Sequence, residues 1–106
     1  MTHVNSIKVN DVGVILERTL VQSDGVTAFP VDTATVIRLD LLYPDETVAS
    51  FTSELSTDGL DGAVRYVTEE GDLDQEGHYV GQFYIEIDGA KLHSDRFHFD
   101  VEATIV

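Results

Sequence analysis

Between residues 79 and 87 the chain alternates without a break. Tyr79, Gly81, Phe83, Ile85 and Ile87 fall on one side, and Val80, Gln82, Tyr84 and Glu86 on the other. A period of two means a strand, because successive side chains on a pleated backbone point to opposite faces. Phe97, Phe99 and Val101 repeat the pattern against His98, Asp100 and Glu102, as a half-buried strand does. Asp88-Gly89, just after the first run, predicts a two-residue type I′ hairpin, since both residues accept positive φ.

Short apolar runs punctuated by Gly, Pro and Asp extend the reading upstream. Strands are expected over residues 4–9, 14–21, 35–42, 48–55 and 63–68. In the third of these Ile37, Leu39 and Leu41 share the face expected to meet the core. In 14–21 both parities carry apolar residues, so the inward face stays open. Pro44 suits position i+1 of a turn, and residues 69–77 are the one stretch compatible with a helical turn. About seven strands, with turn signals every 8–12 residues, predict one all-β domain over residues 1–106, an antiparallel sandwich. A closed barrel is the lesser alternative.

Composition narrows the chemistry. There is no Cys, which excludes disulfides, thiolate metal sites and a thiol nucleophile. No apolar run approaches the ~20 residues of a membrane helix. The opening Met1-Thr2-His3-Val4-Asn5-Ser6 lacks a basic and then apolar leader, so no signal peptide is expected. Twenty acidic residues against six basic ones give a net charge of -14, which repels phosphate backbones and argues against direct nucleic-acid binding. The acidity admits two readings: adaptation to a halophilic host, where salt screens the repulsion within a few Å, or a basic partner.

Asp72, Asp74 and Glu76, followed by Gly77, imitate the opening of a calcium loop. The position of the bidentate Glu is taken by Phe83, so an acidic corner is the favoured reading and calcium the alternative. Asp58 and Asp61 could add oxygens only if the loops meet. The histidines are His3, His78, His93 and His98. His78 and His98 are placed to approach across the last hairpin, which makes zinc or nickel conceivable, although scattered surface positions are the favoured reading. His93 and His98, five apart, share a face only if a bulge intervenes. No nucleophile elbow or phosphate loop occurs, so no catalytic residues and no cofactor are expected. The outward face of the third and penultimate strands is expected to show Val36, Arg38, Leu42, Val80, Gln82 and Tyr84, a mixture suited to a protein interface.

Tyr79, preceded by Leu73 and Gly77, has the pattern of the tyrosine corner of immunoglobulin-like sandwiches; the antibody Cys position two residues on is Gly81. Together with "LLYPDET" (41–47), "VRYVTEEGDLDQEGHYVGQFYIE" (64–86) and "SDRFHFDV" (94–101), the chain resembles the immunoglobulin-like N-terminal domain of phage baseplate upper proteins and related small single-domain virion proteins. The resemblance spans residues 14–101. It implies an immunoglobulin-like fold and a virion structural role, made in the host cytoplasm and assembled with other virion proteins in many symmetric copies. It implies no catalytic residues. Because no anchor for a receptor-binding protein follows, a stand-alone accessory of the tail or baseplate is the expectation. A capsid decoration protein is the alternative, as is a carbohydrate- or receptor-binding module in which Tyr43, Tyr66 and Tyr84 stack on sugar rings.

Overall fold

The computed structural model describes residues 7–105, so His3 and positions 4–6 of the first expected strand lie outside the described residues. Nine strands follow in order: β1 (Ile7–Lys8), β2 (Ile15–Thr19), β3 (Val36–Leu42), β4 (Val48–Thr52), β5 (Glu54–Leu55), β6 (Ala63–Val67), β7 (Gly77–Ile87), β8 (Ala90–His93) and β9 (Phe97–Glu102). They make two sheets. The larger runs β1-β9-β7-β3-β4, with β8 beside the other half of β7, and the smaller runs β2-β6-β5. All pairings are antiparallel except that of β1 with β9. The chain is an immunoglobulin-like β-sandwich.

The alternation seen in the sequence sets the core. Leu39, Leu41, Tyr79, Phe83, Ile85 and Val101 of the larger sheet meet Leu16, Val64 and Tyr66 of the smaller. Leu16 and Leu20 settle the open question of β2, because the other parity, Ile15, Glu17 and Thr19, is exposed. Asp88 and Gly89 both take positive φ, 49° and 81°, as a type I′ hairpin requires. Residues 69–76 of the segment compatible with a helical turn hold turns, a bend and irregular backbone, and Gly77 opens β7. No helix is long and apolar enough to cross a membrane among the described residues.

Two breaks in strand continuity shape the surface. The single strand expected over 48–55 is split: β4 pairs with β3, while β5 pairs with β6 in the other sheet. The chain changes sheets at Ser53, whose N–H is held by the Ile37 carbonyl at 2.8 Å. The run after Asp88-Gly89 is also divided, into β8 and β9. Between the pairs Tyr84↔His93 and Gly81↔Phe97, residues 94–96 oppose only Gln82 and Phe83, which is a β-bulge. Ser94 fills it, its N–H donating to the Phe83 carbonyl at 2.9 Å and its Oγ accepting the Phe83 N–H at 3.0 Å. The extra residue flips the side-chain parity. Leu92 and Phe97 therefore both point inward, and His93 and His98 both point outward, although each pair is five residues apart.

Tyr79 is fully buried. Its Oη donates to the Gln75 carbonyl at 2.8 Å and accepts the Gln75 N–H at 3.1 Å. The corner also packs Leu73, fully buried, while Gly77 takes φ 134° beside Pro44. Gly81 serves a different end: a Cβ there would lie 2.3 Å from Cζ of Phe97, its partner across the β7–β9 pair.

Candidate functional site

The outer face of the larger sheet carries the six residues expected at an interface, and the strand register arranges them in rows. One row reads Val48, Leu42, Val80 and His98. The next reads Ser50, Asp40 and Gln82, and the third Thr52, Arg38, Tyr84 and His93. A fourth holds Val36, Glu86 and Lys91. Leu42 and Val48 are 40% and 65% exposed, and with Val80 they form an apolar strip lining a shallow groove with Asp40, Gln82, Arg96 and His98.

The third row is closed by its own contacts. The Arg38 guanidinium lies 4.3 Å from the Tyr84 ring centroid and binds Asp40 through Nε at 2.8 Å and Nη2 at 3.1 Å. Ser50 donates to the same carboxylate at 2.7 Å. Burial alone would raise the Asp40 pKa, but the hydrogen bonds from Arg38 and Ser50 and the Arg38 charge outweigh it and hold the carboxyl below its ordinary range. Tyr84 Oη donates to Glu86 at 2.8 Å, and His93 packs against the ring at 5.2 Å. Tyr84 consequently points outward yet is only 9% exposed. The expectation of a presented aromatic is corrected here: the ring is roofed by Arg38. Leu42 and its neighbour Val48 are the apolar groups available to a partner. Val48 was missed because residues 48–55 do not alternate cleanly when read as one strand.

The charge on this face differs from the rest of the molecule. Lys8, Arg38, Lys91 and Arg96, four of the six basic residues, stand on it. Asp40, Glu86, Asp100 and Glu102 equal them in number. Most of the acidic residues lie elsewhere, so the face is balanced while the chain carries -14.

The other expected sites are placed differently. Asp72, Asp74 and Glu76 do not converge, and among the described residues no three His, Asp or Glu side chains stand together as a metal-ligand set. Asp72 is occupied: its carboxylate accepts from Tyr66 Oη at 2.5 Å and from the Glu69 N–H at 2.7 Å, and its carbonyl accepts from Tyr43 Oη at 2.6 Å. Asp58 and Asp61 accept backbone N–H groups of Leu60 and Ala63 within their own loop. Tyr43 and Tyr66 are 8% and 9% exposed, so like Tyr84 they offer no open ring to a sugar. Burial, followed by the neighbouring Tyr79 and Asp72, pushes the Tyr43 phenol up to about 12. Burial and then the Asp72 hydrogen bond raise Tyr66 as well.

His78 and His98 do approach across β7 and β9. His78 Nδ1 is 2.8 Å from the Asp100 carboxylate, and His78 Nε2 is 2.9 Å from His98 Nδ1. The sequence placed the two histidines; it gave no sign of Asp100, which faces His78 across the pair.

No protein-family model and no curated protein matches the chain. Among solved structures it is similar to CopC from Methylosinus trichosporium OB3b, at a TM-score of 0.54 and 10% identity, over 93% of this chain and 86% of that one. The likeness is one of fold.

Proposed function

We propose that the chain is a structural assembly protein that docks by the outer face of its larger sheet, and that it serves as an accessory component of a tailed-virus particle, in the tail or baseplate. One observation carries the docking reading: on a chain of net charge -14, this face combines equal numbers of acidic and basic side chains with an apolar strip in which Val80 is half-buried and Leu42 and Val48 are exposed. Elsewhere an acidic neighbour meets repulsion; here it meets none, and burial of the strip supplies attraction. The tail or baseplate setting rests on the resemblance carried by the Tyr79 corner and the segments around it.

The test is quantitative mass spectrometry of particles banded from a producing culture. The expected result is the chain at a fixed ratio to the major capsid protein, in tens of copies or fewer. A ratio near one per capsid subunit would transfer it to the capsid surface as a decoration protein, and absence from the particles overturns the virion role. A Leu42→Lys, Val48→Lys chain is expected to fold but to be missing from the particles; its normal incorporation would remove this face from the reading.

A further inference from the structure

We propose that His78 and His98 form a binding site for a divalent first-row metal of the imidazole-preferring kind, Cu²⁺ or Ni²⁺, oriented by Asp100. The inference is independent of any assembly role.

The geometry begins with the bulge at residues 94–96, which turns His98 outward onto the face that already carries His78. His78 pairs with Asp100, and His98 pairs with Val80 one rung along, so the three polar side chains meet on the diagonal. The Asp100 carboxylate can only accept, so it takes the Nδ1 proton of His78 and leaves Nε2 as a lone pair. A carboxylate behind a ligating histidine is the usual way a metal-binding imidazole is held in tautomer and direction. That lone pair faces His98 Nδ1 at 2.9 Å.

Imidazole suits the later divalent first-row metals, and Cu²⁺ stands highest in their affinity series. The rings now meet edge to edge, since facing nitrogens 2.9 Å apart allow centroids 5.1 Å apart only when both nitrogens lie nearly on the line between them. His98 therefore donates its Nδ1 proton to His78. Metal entry requires His98 to carry that proton on Nε2 instead and both rings to swivel until their lone pairs converge. Both side chains are exposed, so neither movement disturbs the core. Two protein nitrogens leave the remaining positions to water. Arg96, in the adjoining groove, opposes a cation, whereas Asp100 and the acidity of the chain favour one.

The experiment uses the full chain carrying His3→Ala and His93→Ala, which leaves His78 and His98 as its only histidines. Calorimetric titration with CuCl₂ and with NiCl₂ is expected to show one equivalent bound. Binding is expected to vanish on adding His78→Ala or His98→Ala, and to weaken about 10- to 100-fold on adding Asp100→Asn. In amide spectra Cu²⁺ is expected to broaden signals around residues 77–80 and 98–100 first. No binding to the pair-only chain, binding that survives His78→Ala in a chain shown to be folded, or broadening centred elsewhere overturns the proposal.

Discussion

Arg38 stands directly across the β3–β7 pair from Tyr84, its guanidinium 4.3 Å from the ring centroid. The contact turns an aromatic on an outer sheet face into a covered one, with Asp40 steadying the arginine from behind. Arg38→Ala is expected to destabilise the chain by about 0.5–1 kcal/mol, the size of an exposed cation–π contact. Urea denaturation of Arg38→Ala, Tyr84→Leu and the double variant checks it. Strictly additive losses would show that the two side chains are not coupled.

Tyr79→Phe removes both hydrogen bonds to Gln75 while keeping the buried ring. The expected loss is about 1–2 kcal/mol, because the Gln75 backbone groups lose a partner in a half-buried corner. An unchanged denaturation midpoint would show that the corner contributes shape but not stability.

Gly81→Ala places a methyl group 2.3 Å from Cζ of Phe97. Overpacking of this kind costs on the order of 1–3 kcal/mol. The cost is expected to shrink when Phe97→Leu accompanies it, since the conflict is with the ring. A cost indifferent to residue 97 would locate the strain in the backbone.

The Tyr43 phenol ionises near 12 in the folded chain against 10.0 for an ordinary tyrosine. The unfolded ensemble therefore loses this proton first as pH rises. The stabilisation is complete below the ordinary value and is lost as pH climbs through the folded one, from about 10 to about 12. Urea midpoints measured from pH 8 upward are expected to fall in that window, and to fall less in Tyr43→Phe. Parallel curves for the two chains would remove Tyr43 as the cause.

Net charge of -14 predicts a melting temperature that rises from low salt towards molar salt as self-repulsion is screened. A flat response would mean that the acidic residues are spaced widely enough to ignore one another.

The sandwich and its core were legible because β3, β7 and β9 alternate cleanly and bury one parity each. What escaped were features that depend on where strands pair. The jump between sheets at Ser53 leaves no local signal, since residues 48–55 are strand-like throughout. The bulge at 94–96 is invisible until β7 fixes the register on both sides of it. The outward face could be named from parity alone, but its roof could not, because Arg38 and Tyr84 become neighbours only through the β3–β7 pairing. The acidic run at Asp72 looked like a cation loop because sequence counts carboxylates and not the N–H and O–H groups that occupy them.

Gathering four of six cations onto one wall also makes the molecule a permanent electric dipole. A negatively charged surface drawing near would torque it in solution, swinging its acidic flanks away and bringing Leu42 and Val48 round to the front before any atoms touched.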